Sequence, residues 1–200
     1  MNNLISDFIE TGVEFINDSA YGPGYRCSAY LRDGTFLPCV ILRTSGPITE
    51  LALRRFEEEK KGKGFFRLNT AAYKNIVQHF VTSGNRVNSY DIAKIEPSRY
   101  SIPFSLLSQI QGETTMSWTG FVLEMQDGKY VAFGTTFLVD FFDIPVEYSF
   151  GNVVAVHNHS YVSPTGELKP LRQAFFDTPD DYDPSAVSRE RPYFECFYDA

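Results

Sequence analysis

Residues 25–43, YRCSAYLRDGTFLPCVILR, decide the fold: two strand-like runs flank Arg32-Asp33-Gly34. A three-residue loop that ends in a left-handed glycine closes a β-hairpin and fixes its register. Here it sets Leu31 opposite Thr35, Ala29 opposite Leu37 and Cys27 opposite Cys39. The second run, residues 35–42, is apolar on both faces, which predicts a central strand of a sheet. The same turn grammar recurs at Gln126-Asp127-Gly128, between runs over 117–125 and 129–140, and places Phe121 opposite Phe133.

Outward from these hairpins the pattern changes period. Leu4, Ile5, Phe8, Ile9, Val13 and Ile16 are spaced as one stripe of an amphipathic helix over 2–17. Ser45 and Pro47 open a second helix that runs to Lys61 and stops at Gly62. Tyr73, Ile76, Val77 and Phe80 predict a third over 70–82, and a short one is expected over 104–110. Further strands are expected over 89–95 and 152–161, with a turn at Ser163-Pro164-Thr165-Gly166. The expected fold is α+β: a mostly antiparallel sheet of two hairpins plus extra strands, with about three or four helices packed on one face. Residues 1–176 are read as a single domain and 177–200 as an acidic tail. Its end, Tyr193-Phe194-Glu195-Cys196-Phe197-Tyr198, is too aromatic to be left in water and is expected to dock on the domain as an edge strand.

Composition narrows the function. Hydrophobic residues at 43% and charged residues at 22% fit a globular chain and exclude a disordered or fibrous one. Aromatics reach 16%, which calls for either a thick aromatic core or a contact surface. With 25 acids against 18 bases, the net charge of −7 disfavours nucleic acid as a partner. Residues 54–74 run against that balance, with seven bases and three acids. They read as a solvated helix end, or as a docking patch for an acidic partner. Three cysteines do not make a disulfide scaffold, so Cys27 and Cys39 are read as core residues. The first 25 residues carry no Lys or Arg and no apolar run reaches the length of a membrane span. No leader and no membrane partner are therefore expected, and a cytoplasmic location is.

Two segments could carry function. Phe141, Phe142, Tyr148 and Phe150 crowd a loop beside Asp140, Asp143 and Glu147. Rings as anchors with carboxylates steering a basic partner make a protein-recognition rim, provided the loop is not folded onto the core. The other segment is Val153-Val154-Ala155-Val156-His157-Asn158-His159. On a strand, His157 and His159 project from one face, as a pair of metal ligands would. With Glu147 or a neighbouring aspartate as third ligand, two nitrogens and a carboxylate suit zinc and a hydrolytic water. The aliphatic strand ending in His-Asn-His, with Pro164 beyond it, resembles the metal-binding turn of JAB-domain metalloproteases. That family's pattern has a serine and an aspartate where this chain has Glu167 and Pro170, so its third ligand and its activity are not carried over. The expected function is a non-enzymatic protein-binding module of inhibitor, immunity or accessory type, needing no cofactor. The alternative is a metal-dependent hydrolase with a zinc site at His157 and His159.

Overall fold

The computed structural model describes residues 3–18, 22–60, 84–115, 117–136, 141–171 and 179–199. They form two compact units, Met1–Pro97 with Tyr193–Ala200, and Ser98–Pro192. The helix expected over 70–82, the helix stop expected at Gly62 and most of the basic stretch 54–74 lie outside the described residues.

In the first unit, the helix α1 (Asn3–Glu10) is half the length that apolar spacing predicts. It ends where the Thr11 hydroxyl donates to the Phe8 carbonyl at 2.6 Å. Of the remaining stripe residues, Ile16 enters β1 (Phe15–Asp18), which pairs antiparallel with β2 (Gly22–Leu31). β2 and β3 (Phe36–Thr44) are the decisive hairpin. Gly34 has φ +89°, and the Gly34 amide donates to Leu31. Ala29 faces Leu37 as the turn predicts, but a bulge between Cys27 and Ala29 shifts the register, so Cys27 faces Val40 instead of Cys39. After α2 (Ser45–Lys60) come β4 (Arg86–Asn88) and β5 (Ile92–Glu96). The last strand, β12 (Phe194–Tyr198), lies between β3 and β4 and is parallel to both. It has a neighbour on each side, where an edge position is expected from sequence. The sheet order is β1-β2-β3-β12-β4, with β5 also on β2.

The second unit holds α3 (Phe104–Leu107), β6 (Thr119–Met125), β7 (Tyr130–Thr135) and β8 (Val153–Asn158). The hairpin β6–β7 forms in the predicted register, with Phe121 opposite Phe133. A two-residue strand β11 (Ser188–Arg189) runs parallel to β7, giving the order β11-β7-β6-β8. A separate hairpin joins β9 (Ser160–Val162) to β10 (Leu168–Pro170).

This architecture corrects the expected fold class. Among the described residues the fold is mostly β, its sheets are mixed, and no layer of helices packs on a sheet face. Only Ile5 and Phe8 of α1 join Cys27, Ala29, Leu37, Val40, Leu42, Ile92 and Cys196 in the first core. The physical reason is directional. Alternation of apolar residues shows which side chains point inward, but not whether a strand's neighbour runs with it or against it. The parallel partners of β3 and β7 both come from the last thirteen residues, far along the chain.

Candidate functional site

The aromatic loop is built from the inside. Phe141 and Phe142 form isolated bridges to Ser101 and Glu190. The Arg191 amide donates to the Phe141 carbonyl and the Phe142 amide to Tyr100. Held by backbone on either side, both rings are buried, at 1% and 0% exposure, and Phe150 is buried as well. The edge of Phe142 meets Phe121 at 5.4 Å and Phe133 at 5.5 Å, while those two rings stack at 5.4 Å. Phe141, Phe142 and Phe150 are therefore core, not anchors on a recognition rim. The aromatic excess is spent here on packing, where rings bury the most area. Tyr148 is half-buried, and its hydroxyl donates to Asp127 at 3.0 Å. Asp140 lies outside the described residues. What remains on the surface is Asp143, Glu147 and, between them, Val146 at 83% exposure.

Asp143 and Val146 line a groove. A cavity of about 710 Å³ is lined by Arg99, Tyr100, residues 143–146 and residues 185–192. Three arginines face it, and each is held by the protein. Arg99 donates to the carbonyls of Pro145 at 3.1 Å and Tyr148 at 3.2 Å. Arg191 pairs with Asp143 at 2.5 Å and lies 4.1 Å over the Tyr100 ring. Arg189 makes two bonds to Glu190, at 3.0 and 3.2 Å, and lies 4.7 Å over Trp118. Burial pushes the Glu190 carboxyl up, but the bonds from Arg189 and Thr136 outweigh it and hold that carboxyl below the ordinary range. A smaller hollow of about 360 Å³ shares Pro145, Ala186 and Ser188 with the groove and is lined by Glu147 and Tyr148. Charge follows the same division: the Ser98–Pro192 unit has twelve acids against six bases, and the rest of the chain thirteen against twelve.

The two histidines are not brought to one point. His157 lies in β8 opposite Val122, and its Nε2 is 3.0 Å from Glu124 Oε2, with Tyr130 packed edge-on at 5.9 Å. His159 is left-handed, φ +52°, and interrupts the strand between β8 and β9. Its ring turns to the Gln111 carbonyl at 2.9 Å. The rule that residues two apart share a face holds only on continuous strand, and the left-handed turn breaks it. Among the described residues, no group of three or more His, Cys, Asp or Glu could hold a metal ion. Glu147 lines the smaller hollow and is not the partner of either ring. What the geometry does supply is an imidazole oriented by a carboxylate, His157 on Glu124, both about one-third exposed.

Sequence reasoning missed Glu124, Arg99, Arg189, Arg191 and Val146. Arg189 and Arg191 were findable, since residues two apart in an extended run share a side. Arg99 carries no local signal, because its partners lie more than forty residues away. No protein-family model matches this chain, and comparison with curated proteins and with solved structures finds no match. Among the described residues, no helix is long and apolar enough to cross a membrane.

Proposed function

We propose that this chain is a non-enzymatic protein-binding module that engages a basic partner through the acidic Ser98–Pro192 unit, at the groove lined by Asp143 and Val146 and at Glu147, the next residue along the chain. One observation carries the reading. Every arginine facing the groove is occupied by the protein's own carboxylates or carbonyls, Asp143 among them, so the feature left projecting is an exposed Val146 followed by the exposed carboxylate of Glu147. An apolar anchor rimmed by acids suits a partner that offers an apolar pocket and a basic rim. The unit's excess of acids steers such a partner during encounter and repels acidic ones.

The test is affinity capture from lysate of the source cell, with retained proteins quantified by mass spectrometry. The bait is the wild-type chain or a variant carrying Asp143→Lys, Val146→Ser and Glu147→Lys. The expected result is a partner of basic surface that the wild type retains, the variant loses, and rising salt weakens. A partner held equally well by the variant, or one insensitive to salt, overturns the reading.

A further inference from the structure

Strand β7 is covered along only part of its outer edge. The turn that closes the β6–β7 hairpin bonds the Met125 amide to the Lys129 carbonyl, and Gly120 of β6 accepts from the His159 amide on the side away from β7. Bonded and non-bonded pairs alternate along an antiparallel ladder. Val131 and Phe133 therefore bond inward to β6, and the amides and carbonyls of Tyr130, Ala132 and Gly134 point the other way. β11 runs parallel there, with Ser188 at Phe133 and Arg189 at Gly134. That register takes both groups of Gly134 and the carbonyl of Ala132. It leaves the Ala132 amide and both backbone groups of Tyr130, none of which has another hydrogen bond among the described residues.

The chain before β11 does not reach these groups, because its own turn holds it. Over Pro184–Ala186 it makes a single helical turn in which the Ala186 amide donates to Asp183 and the Val187 amide to Pro184. The Asp183 carboxylate fixes that turn, accepting from the Ser185 amide at 2.8 Å and the Ser185 hydroxyl at 2.6 Å. Both segments line the hollow of about 360 Å³, through residues 129–132 on β7 and through Asp183, Ala186 and Ser188. Its charged groups are unequal. Lys129 is matched by Asp127 at 3.7 Å, whereas Glu147 is exposed and has neither an ion pair nor a hydrogen bond among the described residues.

We propose that this hollow receives a short extended segment of the basic partner, which adds a strand to β7 beside Tyr130 and Ala132. This mode of binding rests on the functional reading above. A peptide amide donates to the Tyr130 carbonyl, and peptide carbonyls accept from the amides of Tyr130 and Ala132. Main-chain bonds of this kind hold a segment of any sequence, so charge must supply the choice. Glu147 and Asp183 favour lysine or arginine on the incoming segment, and Lys129 does not oppose them because Asp127 already answers it. The position beside Phe133 is taken by Ser188, so the added strand must stop or turn there. The segment is thus a chain end or the tip of a turn. The hollow shares Pro145, Ala186 and Ser188 with the groove, so one partner spans both.

Titration of the full chain with a capped peptide of alternating lysine and valine tests this, followed by nuclear magnetic resonance of the backbone amides. Two further peptides serve as comparisons. One is the same peptide methylated at every backbone nitrogen, which keeps the charge and loses the donors, and the other alternates glutamate and valine. The expected result is that only the unmethylated lysine peptide binds, and that it slows exchange of the Tyr130 and Ala132 amides but not of Gly134, which β11 already bonds. Rising salt should weaken it, and Glu147→Gln should weaken it by up to about fivefold, the effect of losing an exposed ion pair. Equal binding of the methylated peptide, with no protection at Tyr130 and Ala132, overturns strand addition and leaves the choice of a basic partner standing. A lysine peptide that does not bind overturns it as well, whatever lysate capture retains. Preference for the glutamate peptide overturns both readings.

Discussion

Trp118 lies against the backbone of Gly134, and a Cβ built there would sit 2.1 Å from its Cζ2. With Arg189 over the ring, the indole is held between strand backbone and guanidinium. Gly134→Ala should therefore force the ring out and destabilise the unit by about 1–3 kcal/mol in urea, the usual cost of overpacking. Trp118 is the chain's only tryptophan, so its fluorescence reports the displacement directly. Adding Trp118→Ala should make the double variant less unstable than the two single losses predict. Cysteine chemistry is set in the same local way. Burial pushes the Cys196 thiol up to about 12, and burial, then its neighbours Cys196 and Cys39, push Cys27 up as well. Both should resist alkylation at neutral pH in the folded chain and react once it is unfolded in denaturant. The sign follows from the shift. A thiol raised in the folded state favours folding fully below its ordinary value of 9.0, and that contribution is lost as pH climbs from there towards about 12. Cys196→Ser should cost more than Cys196→Ala, because a hydroxyl at a position with 0% exposure needs a partner.

Strand β12 is bonded on both sides, to β3 and β4, and supplies Cys196 to the core. Ending the chain at Pro192 should remove the interior of the first sheet, not a dispensable tail. The expected outcome is loss of protected amides in β3 and β4, read by hydrogen exchange, while β6 and β7 keep theirs. A truncated chain with β3 still protected would show that β12 is peripheral. The same strand marks the limit of what the sequence discloses. Its aromatic content reveals that it must be covered, but its place and direction depend on partners about 150 residues earlier. Local chemistry was legible where a turn fixes it. Gly34 and Gly128 are both left-handed, and Ala29–Leu37 and Phe121–Phe133 follow from counting back from them. The count fails at Cys27 because a bulge inserts a residue with no distinctive sequence, and at His159 because a histidine adopts a conformation usually left to glycine. The site suffered most, since a ring in a loop and a ring in a core have the same letters. Phe141 and Phe142 differ from exposed aromatics only through the backbone that closes over them.

Charge and its titration divide along the chain's two units. Asp127, Asp181, Asp183 and Glu190 are all held below their ordinary values, and all belong to the Ser98–Pro192 unit. Asp181 is the clearest case: Lys169 bonds it at 2.6 Å and the Tyr161 hydroxyl at 2.6 Å, in that order of effect. Among the described residues of the other unit only Asp33 is lowered, by the Thr35 amide and hydroxyl of its own turn. A carboxylate depressed in the folded state contributes stability at pH values above its ordinary range. That contribution disappears as pH falls through the folded value, where the proton is forced on. Four such groups against one imply that the acidic unit gives way first on acidification. The unit's own repulsion between twelve acids and six bases acts the other way near neutrality, and protonation relieves it. The specific bonds win below the ordinary carboxylate range, because repulsion has vanished there and the bonded acceptors have been lost. Trp118 fluorescence follows this unit alone, and amide exchange in β2 and β3 follows the other. Acid titration should move the fluorescence at a higher pH than it exposes β2 and β3, and Asp181→Asn should reduce the separation by removing one of the titrating groups. Coincident transitions in the wild type would mean that the depressed carboxylates of the acidic unit do not set its acid limit.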